Sequence, residues 1–134
     1  MTNPGQFDEA EFMNSIKAIS KYVLAIFMIV AGIMHFVNPT FFLKIMPPYL
    51  PLHEELVLVS GVFEVFVGLL LLVPQTSRLA GWGIVALLVA VFPANLYLYQ
   101  HQDILPASPI IHLLRLPLQG VFIFWAYWHT RLAK

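Results

Sequence analysis

Four apolar runs, over residues 18–37, 55–73, 78–99 and 110–129, make up most of this chain. A helix needs about 20 consecutive apolar residues to cross the hydrocarbon core of a bilayer, and each run is close to that length. Only short connections remain between them, so consecutive helices are expected to lie side by side and antiparallel. The chain therefore reads as one transmembrane domain over residues 1–134, an all-α, integral membrane four-helix bundle. A soluble alternative fails on composition. Of 134 residues, 60% are hydrophobic and 10% charged, where a soluble domain carries about 25% charged residues. A fold of this size hides only about 70% of the surface its unfolded chain exposes, and the excess apolar surface would be left in water.

The few charges set the topology. Lys17, Lys21, Arg78, Arg131 and Lys134 flank the spans on one side and Lys44 on the other, which places both termini in the cytoplasm. A cleaved signal peptide is the competing reading of the first run, but Met34-His35-Phe36 is not a small-x-small site and the residues before Lys17 are acidic. The acidic stretch through Glu11 is expected to be disordered or to lie on the membrane surface. Seven Lys+Arg balance seven Asp+Glu, leaving no basic field with which to hold nucleic acid. No cysteine is present, so thiol relays, thiolate metal sites and disulfides are excluded, and redox chemistry would need a borrowed or diffusible cofactor.

The outer loop, residues 38–53, is itself apolar. Prolines at 39, 47, 48 and 51 forbid a long helix there. A short interfacial helix over residues 40–45 is expected, with its aromatics at headgroup level. A sharper reading makes the same segment a lid over the outer mouth of the bundle.

A charge in hydrocarbon costs at least about 2.5 kcal/mol, so the polar residues inside the spans need a reason. Only two formal charges fall there, Glu64 and Arg115, of opposite sign. At 1.5 Å per residue they lie about 12 and about 8 Å below the outer face, at compatible heights. His35 ends the first span and Asn95 lies near the outer end of the third, so all four helices deliver a polar group to the outer half. Ser60, Gly61 and Gly68 share a helical face with Glu64, the kind of face on which helices approach closely. His112, Arg115 and Gln119 form a polar stripe on the fourth span. Pro93 frees the carbonyl of Val89, one turn before it.

Structural roles compete with functional ones throughout. Ser60, Asn95 and Gln119 suit interhelical hydrogen bonds. Glu64 and Arg115 suit either a register-fixing ion pair or a site. His35 and His112, near the outer edge, are open to wetting. A metal centre from His35, His112 and Glu64 is disfavoured, since no two of them share a helix at ligand spacing, and His53-Glu54-Glu55 is not a His-Glu-x-x-His motif.

The order and placement of several short motifs resemble the DoxX family of small four-helix membrane proteins. They are Ala31-Gly32-Ile33-Met34-His35-Phe36 with Pro39, Ile45-Met46-Pro47-Pro48-Tyr49-Leu50-Pro51, Ser60-Gly61-Val62-Phe63-Glu64 with Gly68, Leu79-Ala80-Gly81-Trp82-Gly83, Phe92-Pro93-Ala94-Asn95, and Arg115-Leu116-Pro117-Leu118-Gln119. The likeness covers about residues 20–130. It implies a bacterial inner-membrane protein, with His35, Glu64, Asn95, Arg115 and Gln119 at the motif positions. It carries no single activity, since members of the wider group are associated with thiosulfate:quinone oxidoreduction, with maturation of redox enzymes and, in animals, with receptor assembly. The expectation that follows is a redox-associated subunit whose outer-half pocket accepts a quinone, not covalently bound, or another lipophilic small molecule. The alternative is an assembly factor or accessory subunit for a redox or client protein. A transporter is the weaker third reading, because polar residues do not continue into the cytoplasmic half.

Overall fold

The computed structural model describes residues 4–104 and 108–131, with side chains from residue 8 onward. Among these residues the chain is all helical: α1 Pro4–Val37, α2 Pro39–Lys44, α3 His53–Leu72, α4 Ser77–Gln100 and α5 Pro109–Trp128, with a single 3-10 turn at Gln102–Ile104. Four of the helices, α1, α3, α4 and α5, are long and apolar enough to cross a membrane.

Proline sets most of the boundaries. The residue before a proline is driven out of the α region, and Asn38, at φ −135° and ψ 65°, ends α1 just before Pro39 opens α2. Pro47 and Pro48 follow the short α2, and Leu52 then turns the chain into α3 with a left-handed φ of 54°. Pro74 follows the end of α3, where the carbonyl of Leu70 accepts both the Val73 N–H, at 3.2 Å, and the Thr76 hydroxyl, at 2.8 Å. Pro93 is carried inside α4 and Pro117 inside α5.

The expectation of disorder is corrected here. The acidic N-terminal stretch is the first part of α1, which runs unbroken from Pro4 for 34 residues. Proline suits a first helical turn, and the Glu, Ala, Phe and Met residues after Gly5 favour continuation. The short helix expected over 40–45 is α2, shifted by one residue.

The helices form a closed ring of antiparallel neighbours. Contacts run from α1 to α3, from α3 to α4 and from α4 to α5. The ring closes where Phe27 of α1 stacks on Phe122 of α5 at 5.2 Å and Trp125 Nε1 donates to Ser20 Oγ at 2.6 Å. Glycine permits the closest approach. A Cβ on Gly32 would stand 2.7 Å from the Gly61 carbonyl oxygen, and one on Gly61 would stand 2.7 Å from the His35 Cβ. Gly68 meets the α1 backbone at Ala25 in the same way. Small residues at a helix seam bring backbones together, and packing between them is a main source of cohesion in lipid.

The well-packed core occupies one half of the ring. Leu24, Met28, Leu71, Ala80, Ile84 and Ala126 meet there, at the end where α1 begins, α3 ends, α4 begins and α5 ends. Large apolar side chains such as Phe66, Leu69, Val121 and Phe124 face outward, as an apolar solvent permits. The other half, under α2, is built differently.

Candidate functional site

In that second half a cavity of about 240 Å³ opens among all four long helices. His35 comes from α1, Ser60 and Glu64 from α3, Asn95 from α4 and Arg115 from α5. Phe41 and Phe42 of α2, with Ile45 and Met46 just after it, cover the cavity. Five of the seven polar residues singled out from the sequence thus line one space. The convergence rests on position in the helix: His35 and Asn95 lie near helix ends, Ser60 and Arg115 in the first half of their helices and Glu64 just past the middle of α3.

His35 and Glu64 make the central contact, Nε2 to Oε2 at 2.8 Å. The oxygen lies at ion-pair distance without completing a well-aligned hydrogen bond. On the other side of the ring, His35 Nδ1 lies 2.9 Å from the Val57 carbonyl oxygen. A carbonyl only accepts, so Nδ1 carries a hydrogen. A neutral imidazole with its hydrogen there would turn its Nε2 lone pair towards a carboxylate. The contact suits one proton between Nε2 and Oε2, held either as imidazolium and carboxylate or as imidazole and carboxylic acid. Phe42 fixes the ring from above, stacked at 3.8 Å between centroids.

Opposite charge and matching depth suggest a pair of Glu64 with Arg115, but Glu64 is taken by His35. Gly61 and Gly32 bring α1 so close to α3 that the imidazole reaches the acid first. Arg115 lines the same cavity, and its buried Nη1 has no hydrogen-bond partner among the described residues. An unmet donor on a buried guanidinium is costly, of the order of 1–3 kcal/mol or more.

Gln119 and His112 lie outside this lining. The Asn95 amide donates to Gln119 Oε1, and Gln119 Nε2 donates to the Leu88 carbonyl. That network is an interhelical tie between α4 and α5. The carbonyl used is Leu88, not Val89. Pro93 frees the Val89 carbonyl, but that residue is turned outward while Leu88 faces α5. His112 is 1% exposed and His35 8% exposed, so neither is the wetted surface group that its place near a helix end suggests. Among the described residues no three His, Cys, Asp or Glu side chains cluster as metal ligands do.

Two features were missed in the sequence. The Val57 carbonyl leaves no trace in side-chain patterns, since any residue offers one. Phe42 had a signal, the paired aromatics of a proline-bounded apolar loop, and the lid reading rests on it.

A family model described as a domain of unknown function (DUF8561) matches residues 24–130. No curated protein and no solved structure matches the chain.

Proposed function

We propose, for a chain that belongs to the family of unknown function DUF8561, that it is a DoxX-like membrane subunit whose covered cavity holds a quinone or a similar lipophilic molecule with carbonyl acceptors. The observation that carries this reading is the unmet Nη1 donor of Arg115 beside a His35–Glu64 pair suited to holding one proton. A ligand carbonyl would satisfy the guanidinium, and Ser60 would offer a second polar contact within an otherwise apolar wall. The shared proton lies where a ligand oxygen gaining charge could take it, with Glu64 and His35 exchanging roles as acid and base. Electrons would come from a redox partner protein in the same membrane.

The basic residues support the membrane orientation. Lys17, Lys21, Arg78 and Arg131 gather at one end of the bundle and Lys44 stands at the other; Lys134 lies outside the described residues. With the basic end cytoplasmic, as the positive-inside rule requires, both termini are cytoplasmic and the cavity opens on the outer face of a bacterial inner membrane.

The test is binding of a short-chain benzoquinone to the purified protein in detergent, by calorimetry. Saturable binding that weakens about tenfold or more in both Glu64→Gln and Arg115→Ala, with helicity retained, supports the site; about tenfold corresponds to 1.4 kcal/mol. Binding that ignores both substitutions overturns it. Co-purification of a stable protein partner that survives Glu64→Gln would instead favour an assembly factor.

A further inference from the structure

The end of the bundle remote from this cavity carries a second concavity, of about 280 Å³. Three parts of the chain contribute to it. Lys17 and Lys21 come from the first part of α1, Ser77 and Arg78 from the first turn of α4, and His129 and Arg131 from the residues after α5. No acidic side chain lines it among the described residues. The only ion pair among those residues is His35 with Glu64, at the other end, so these cations have no carboxylate in contact.

Two of the cations are already committed to protein atoms. Lys17 Nζ donates to the Arg131 carbonyl at 2.8 Å, and Arg131 Nη2 donates to the Tyr127 hydroxyl at 2.9 Å. These bonds fix positive charge in place without neutralising it. Lys21 and Arg78 remain available, one from α1 and one from α4. Thr76 gives α4 no side-chain cap, and Ser77 and Arg78 of its first turn line the pocket, so the partial positive charge of this helix start lies beside it.

We infer that this pocket is an anion site for a phosphate group, gripped by Lys21 and Arg78 against the background charge of Lys17 and Arg131. Its place beside the ends of the spans is the depth at which phospholipid headgroups lie, and basic pockets between helices at that level take anionic lipid phosphates. A free phosphate offers the same oxygens, and the guanidinium fork with a nearby ammonium suits either source. The positive surroundings are also felt by the buried His129, whose imidazole is pushed down to about 4 by burial and then by Lys17 and Lys21. Its Nε2 lies 3.1 Å from Ser20 Oγ, which suits a neutral ring accepting the hydroxyl hydrogen.

The experiment uses the full chain in phosphatidylcholine nanodiscs. In one arm phosphatidylglycerol is added and the lipid retained by the protein is counted by native mass spectrometry; in the other inorganic phosphate is titrated. Selective retention of phosphatidylglycerol identifies a headgroup site, and saturable binding of phosphate alone identifies a free-anion site. In either case affinity should fall about tenfold in the double variant Lys21→Gln/Arg78→Gln, recover in Arg78→Lys, and stay unchanged in Lys44→Gln at the other end. Folding of each variant is checked by circular dichroism. No selective binding in either arm, or an equal loss with Lys44→Gln, overturns the proposal.

Discussion

At one end of the bundle His35, Glu64 and Arg115 place potential charges of both signs inside a cavity covered by α2, while at the other Lys17, Lys21, Arg78 and Arg131 place charges of one sign around an open pocket. The covered end meets the cost of buried charge by pairing, with His35 Nε2 set against Glu64 Oε2. The open end meets it by exposure: Arg78 and Arg131 are exposed, and the one deeply buried group there, His129, is held neutral. Pairing demands a fixed geometry, whereas exposure tolerates a loose one. Substitutions that move backbones should therefore damage the covered end first.

The largest effect is expected where α1 and α3 touch. Gly61→Leu forces side-chain atoms into the Gly32 carbonyl and the His35 Cβ, at a cost of about 3 kcal/mol for overpacking against backbone. Thermal unfolding in detergent should show it. The same change should separate His35 from Glu64 and abolish ligand binding under α2, while anion binding at the other end, measured on whatever protein stays folded, persists. An unchanged unfolding midpoint would show that the seam is looser than its distances imply.

The seam was readable because Gly61 and Gly68 fall on the helical face of Glu64, and the four spans were readable because lipid demands long uninterrupted apolar helices. The partner of Glu64 was not. Depth and charge sign point to Arg115, and only the glycine-permitted approach of α1 to α3 puts His35 there instead. Ser20 of α1 joins Trp125 of α5 and His129 just after it in one hydrogen-bonded chain; Trp125 and His129 are i,i+4, but no spacing rule ties them to Ser20, more than a hundred residues away. Gln119 was recognisable as an interhelical bond former, but its choice of the Leu88 carbonyl depends on which way α4 is rotated.

Acid sharpens the contrast from the open end. The His129 imidazole titrates near 4 in the fold against an ordinary 6.5, so the unfolded chain takes up its proton first as pH falls. The stability this group contributes is complete above about pH 6.5 and is lost on going down through 4, by about 3 kcal/mol. Unfolding followed from pH 7 to pH 4 should show a steeper loss in the wild type than in His129→Gln, whose amide oxygen can still accept from Ser20. Equal slopes would place His129 in a wetter environment.

The cover over the cavity is expected to matter less to stability. Phe42→Ala removes the ring stacked on His35, worth about 1 kcal/mol as an aromatic pair, and exposes the His35–Glu64 pair to water. Quinone binding should weaken about fivefold and release should quicken. Stopped-flow measurement of dissociation separates a lid, which changes release, from a wall, which changes both rates.

The smallest change in stability is expected at Arg115, and its sign carries the information. A residue kept only to hold helices together costs stability when removed, as the partner of a buried pair does. Arg115 has a buried Nη1 donor with nothing to receive it among the described residues, so Arg115→Met replaces an unmet polar group with an apolar one of similar length. The folded protein should then be as stable as the wild type or slightly more so, within about 1 kcal/mol, while quinone binding is lost. Such a trade, stability kept and binding gone, is the mark of a group positioned for a ligand. A clear destabilisation with binding intact would assign Arg115 to the architecture of the bundle and leave the cavity's chemistry to His35 and Glu64.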